Sequence, residues 1–175
     1  MEMVKMIKPG DLLLEKGDGP VRNIIKKKTE SEYSHIAVAL DEHYMIEAHA
    51  TGVRICSIAN NMTCDFDVYR YELRNFKREE LAEAAIKYEG RMYDYGQLLW
   101  MGVKSNLLGE VKLNSTHFLI CSELAILMYR DMGVYMLNNM YIGDVTPADC
   151  VKPSIMRLKE SYKGGSYEPR FTTDI

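Results

Sequence analysis

The chain has 175 residues, 47% of them apolar and 27% charged, with a formal net charge of -3. These values suit one compact domain over residues 1–175 with a buried core; they leave little room for a second and exclude a disordered chain. The weak negative charge gives no reason to expect nucleic acid as a partner, and no stretch reaches the roughly 18 apolar residues of a membrane span.

Residues Met1 to Lys8 mix apolar side chains with Glu and Lys. They lack the apolar run and cleavage site of a signal peptide, so the expected location is the cytoplasm. Pro9-Gly10-Asp11 is a turn, and Leu12-Leu13-Leu14 after it reads as a buried strand. Val21 to Lys28 has the spacing of one or two helical turns, and Lys26-Lys27-Lys28 reads as its solvated end rather than a phosphate or headgroup site. Ser34 to Leu40 and Tyr44 to His49 form a hairpin; Gly52 to Ile58 and Asp67 to Leu73 are further strands.

The character changes at Asn75. Helices are predicted over Lys77 to Glu89, ended by Gly90, over Asp94 to Leu108, and over Phe118 to Met132, ended by Gly133. Thr146-Pro147 opens a short helix through Cys150, Ile155 to Lys159 is a last strand, and the tail from about residue 164 is polar and expected to be loose. Strands first and helices later predict an α+β fold with an antiparallel sheet.

Two places can carry chemistry. Cys121 stands near the start of the apolar helical pattern Leu124, Ala125, Leu127, Met128. Backbone N–H groups and the macrodipole at a helix N-terminus favour a thiolate and can hold an oxyanion. A small buried apolar residue is the competing reading. In the hairpin, a three-residue loop Asp41-Glu42-His43 would pair Leu40 with Tyr44, Ala37 with Glu47 and His35 with His49. His35 and Glu47 then become diagonal neighbours on one face, within side-chain reach. An imidazole base needs such a carboxylate to fix its tautomer. His49 is a rival orienting group, and a structural pair on a solvated face is the alternative.

At this point the residues match a known pattern. The chain resembles the circularly permuted NlpC/P60 branch of the papain-like superfamily, which includes YiiX-like and YaeF-like bacterial proteins. The matching pieces are Pro-Gly-Asp-Leu-Leu-Leu at 9–14, Tyr-Ser-His-Ile-Ala-Val at 33–38, Met-Ile-Glu-Ala at 45–48 and Gly-Val at 52–53. Gly-Arg-Met-Tyr-Asp-Tyr at 90–95, Cys-Ser-Glu-Leu at 121–124 and Thr-Pro-Ala-Asp at 146–149 complete the order.

The resemblance implies a permuted papain-like fold, an antiparallel sheet or barrel packed against helices. It implies Cys121 as nucleophile, His35 as base and Glu47 rather than His49 as the orienting residue, with Tyr93, Tyr33 and Ser34 lining the substrate cleft. The implied activity is hydrolysis of an amide in a peptidoglycan-type or other small peptide through a thioester, with no cofactor. The chain departs from many relatives at Ile120, where a tyrosine or similar residue is expected.

Three rivals are set against this reading. A metal site built from His43, His49, Cys56 and Cys64 lacks a compact Cys/His spacing, so no metal is expected. A non-catalytic module could hold a ligand in the same cleft. An enzyme of this fold could act on a lipid-like ester or amide instead, though no stable membrane anchor is seen. The four cysteines show no clustered framework and are expected to be free thiols.

Overall fold

The structure, a computed structural model, describes residues 7–93, 118–137, 142 and 145–168. Strand β1 (Leu12–Glu15) leads to helix α1 (Pro20–Thr29), then to β2 (His35–Ala39), β3 (Tyr44–His49) and β4 (Gly52–Ser57). The short helix α2 (Ile58–Asn61), β5 (Phe66–Tyr71) and helix α3 (Arg78–Ile86) follow. Then come β6 (Met92–Tyr93), β7 (Phe118–Leu119), helix α4 (Cys121–Asp131), a single 3-10 turn (Asp149–Val151) and β8 (Met156–Tyr162).

Six strands form one antiparallel sheet in the order β4-β3-β2-β1-β5-β8. The chain meanders from β1 to β4, then returns to lay β5 on the free side of β1. Both faces of the sheet are covered, which is why β1 reads as an unbroken apolar run rather than an alternation. One face carries Leu12, Leu14, Ile36, Val38 and Ile46 beneath Leu124, Ala125, Met128 and Tyr129 of α4. The other carries Leu13, Ala37, Ala39, Met45 and Val68, packed with Ile58 and Met62 around α2. Pro9-Gly10-Asp11 is the predicted turn: Gly10 takes φ +85°, and the Tyr129 hydroxyl donates to its carbonyl. Among the described residues no helix is long and apolar enough to cross a membrane.

The α+β class and the antiparallel sheet match expectation, and four differences have physical reasons. The helix predicted from Phe118 begins at Cys121, because Phe118 and Leu119 pair with Met92 and Tyr93 as a two-stranded parallel ladder. The apolar run through Ile120 fits either element. Thr146-Pro147 opens a single 3-10 turn, closed by Thr146 and Asp149: the Thr146 hydroxyl donates to Asp149 Oδ2 at 2.6 Å. The helix α2 was not anticipated; at four residues it is too short to show a period. Finally, residues 164–168 are docked rather than loose. Gly164 N–H donates to Asp65 Oδ1 at 2.9 Å, and buried Tyr167 packs on Phe66 and Tyr162 with its hydroxyl on the Glu42 carbonyl at 2.6 Å. The helix predicted over Asp94 to Leu108 lies outside the described residues.

Candidate active site

The site starts from the hairpin. Asp41 Oδ1 accepts the N–H groups of His43 and Tyr44, both at 2.7 Å, and so closes the three-residue loop. That loop sets the register Ala37↔Glu47, Val38↔Ile46, Ala39↔Met45. Side chains alternate, so His35 and Glu47 fall on one face. His35 Nε2 and Glu47 Oε2 are 2.7 Å apart, with side chains only 12% and 5% exposed.

Glu47 is itself held from behind. Arg54, its cross-strand partner on β4, donates to Oε1 through Nε at 3.0 Å and Nη2 at 2.6 Å. The Cys56 thiol donates to the same oxygen at 3.4 Å, and Arg54 Nη2 also reaches Asn61 Oδ1 at 3.1 Å. Burial pushes the Glu47 carboxyl up, but the bonds from His35 and Arg54 outweigh it and hold it at about 2.

Cys121 is the first residue of α4, which packs across β2 and β3. It is buried at 5% exposure, and its charge bears on the His35 ring. Burial alone would lower the His35 pKa; Cys121 and then Glu47 override it and raise it to about 10. Two bonds fix the start of α4. The Ile120 N–H donates to Glu123 Oε2 at 3.1 Å, and the Ser122 hydroxyl donates to the Val145 carbonyl at 2.5 Å.

The other candidate residues are placed as follows. His49 is turned to Thr51, whose N–H meets Nδ1 at 3.4 Å, and Glu47 occupies the position beside His35. Tyr33 is buried, its hydroxyl donating to Asp67 Oδ2 at 2.6 Å and lying 3.0 Å from the Tyr69 hydroxyl. Ser34 is buried with its hydroxyl on the Glu15 carbonyl at 3.3 Å. Both hydroxyls thus have partners inside the fold. The Tyr93 backbone pairs with Leu119, two residues before Cys121.

Sequence reasoning missed Arg54, Glu15 and Arg22, and weighed Cys56 only as a metal ligand. The strand alternation through β4 held a signal for Arg54 and Cys56, and a charge closing the Leu12–Leu14 run held one for Glu15.

No protein-family model matches the chain, and no curated protein matches it in sequence. In three dimensions it is similar to the crystal structure of the metalloprotein YiiX from Escherichia coli O157:H7, of the DUF1105 group. The TM-score is 0.68 over 89% of this chain and 98% of that one, at 17% identity. The fold is YiiX-like. YiiX is described as a metalloprotein, but the described residues around His35 do not fit a metal. Among the described residues no three His, Cys, Asp or Glu side chains converge to hold an ion. The carboxylate nearest His35 already carries the Arg54 guanidinium, whose charge opposes a bound cation.

Proposed function

We propose that the chain is a cysteine hydrolase of the permuted NlpC/P60, papain-like type that cleaves an amide in a small peptide, with Cys121 as nucleophile, His35 as base and Glu47 as the residue that orients His35. One observation carries this reading: the His35 ring is held by Glu47 at 2.7 Å and is at the same time acted on by Cys121. A base held by a carboxylate and aimed at a nucleophile is the arrangement that nucleophilic acyl transfer needs.

With the Cys121 proton already on His35, whose pKa is raised to about 10, the sulfur attacks the substrate carbonyl. The carbonyl pair moves onto oxygen, where the Cys121 N–H at the helix N-terminus can stabilise it. The imidazolium gives its proton to the leaving amine as the C–N bond breaks, and a thioester remains. His35 then takes a proton from water, hydroxide adds to the thioester, and the acid leaves as Cys121 regains its proton. Glu47 stays ionised throughout and holds the ring.

Iodoacetamide labelling near neutral pH tests the reading. Cys56 is a built-in comparison, since burial and then Glu47 push its thiol up to about 12. Labelling should fall first on Cys121 and be lost in His35→Ala. Labelling of Cys121 no faster than of Cys56 or Cys64 would sink the enzyme and leave a binding module. Muropeptides and phospholipids offered in parallel then decide between a peptide amide and a lipid ester or amide.

A further inference from the structure

His35 has a second carboxylate beside it. Glu15, the last residue of β1, is the direct cross-strand partner of His35 in the β1–β2 ladder. Directly opposed residues share a face with Cβ atoms roughly 4.5–5.5 Å apart. Glu15 is 2% exposed, and a carboxylate that deep is retained only with a compensating charge. Arg22 of α1 supplies it: Nη1 lies 2.5 Å from Glu15 Oε2, while the arginine side chain stays 34% exposed. Oε2 makes no well-aligned hydrogen bond, so its contact with Arg22 is ionic.

The pair is built into the backbone around it. A Cβ at Gly17 would lie 1.9 Å from Arg22 Nη1 and 2.8 Å from Cys64 Sγ, so the guanidinium reaches Glu15 through space that only glycine leaves open. The Glu15 carbonyl accepts the Ser34 N–H at 2.8 Å, which ties the residue before His35 to the same point.

We propose that Glu15 is a second positioning residue for His35, acting through its charge from β1 where Glu47 bonds the ring from β3, and that Arg22 sets how much of that charge the imidazole feels. The proposal rests on the thiol–imidazole reading above. His35 then lies between two carboxylates, each backed by an arginine: Arg22 behind Glu15, Arg54 behind Glu47. Among the described residues, Cys121 from α4 and His49 from β3 also bear on it. Both are common to the two charge variants below and cannot produce opposite responses.

Iodoacetate tests the proposal. Its alkylation of Cys121 needs the thiolate, which displaces iodide, and favours a cationic imidazole, which attracts the reagent's carboxylate. The alkaline limb of the rate profile therefore reports loss of the His35 proton. Peptide mapping assigns the labelled cysteine.

In Glu15→Gln the alkaline limb should move down by about one pH unit, the lower end of what a nearby opposite charge supplies. In Arg22→Gln the imidazolium takes over as the compensating charge of Glu15, so the limb should move up. A pair that only held α1 to the sheet would move both variants the same way or not at all, and either result overturns the proposal. Should Glu15→Gln not fold, Arg22→Gln decides alone, and an unmoved or lowered limb refutes it. His35→Asn separates the two levels: a limb that survives it means the thiol–imidazole reading itself has failed, whatever Glu15 does.

Discussion

Glu47→Gln removes one charge from the buried chain of His35, Glu47 and Arg54 while keeping the shape of the side chain. Its effect can be worked from the structure. The carboxyl lies at about 2 against an ordinary 4.5, a displacement worth about 3 kcal/mol in favour of the folded state at neutral pH. A depressed carboxylate contributes its stability in full above its unfolded pKa and loses it as pH falls through the folded value. The window is therefore from 4.5 down to about 2. Arg54, 39% exposed, can turn to water when its partner is neutralised and should add little.

Urea unfolding followed by far-UV circular dichroism, repeated from neutral pH downward, reads the difference between wild type and variant. The gap should be about 3 kcal/mol at neutral pH and shrink towards zero as Glu47 itself takes up a proton. A gap that stays constant through the acid range would mean that packing of the amide, not charge, is responsible. No gap at neutral pH would mean that the ion pair is solvated, and the account of the site's electrostatics would fall.

Two further outcomes follow from the same geometry. His35 is raised from 6.5 to about 10, so it adds stability below the lower value that is lost as pH climbs through the upper one. Thermal melts should fall more steeply over that window for wild type than for His35→Asn, and parallel curves would contradict the pairing. Tyr167→Ala should cost about 3 kcal/mol in urea unfolding, because it empties a buried aromatic site against Phe66 and Tyr162; a change within error would return the tail to a loose segment.

The hairpin was legible for a physical reason. Asp41-Glu42 makes a poor two-residue turn, which favours the three-residue loop through His43, and a period of two then puts His35 and Glu47 on one face without tertiary information. Leu12 to Leu14 was legible as a doubly covered strand because nothing polar interrupts it. Glu15 is marked only as a charge closing that run and Arg22 not at all: their meaning depends on β1 pairing with β2 across a helix, and no local pattern announces that pairing. Phe118 and Leu119 were misread as helix because their partners, Met92 and Tyr93, lie far back in the chain. Tyr167 was overlooked because one aromatic in a polar tail carries no period, and only its cavity between Phe66 and Tyr162 gives it a place. For the candidate site the same division holds. The three central residues carry local signals, in a helix start and a hairpin register, while the arginines that balance them belong to the assembled sheet.

Helix α4 is at once the lid over one face of the sheet and the carrier of the proposed nucleophile. Leu124, Ala125, Met128 and Tyr129 seat it on the core, and Cys121 leads the same rigid rod. Whatever loosens that seat withdraws the sulfur from the imidazole while the hairpin can still be whole. Seat and sulfur therefore form one mechanical unit, and a change at Met128 or Tyr129 reaches Cys121 through the rod rather than through the hairpin.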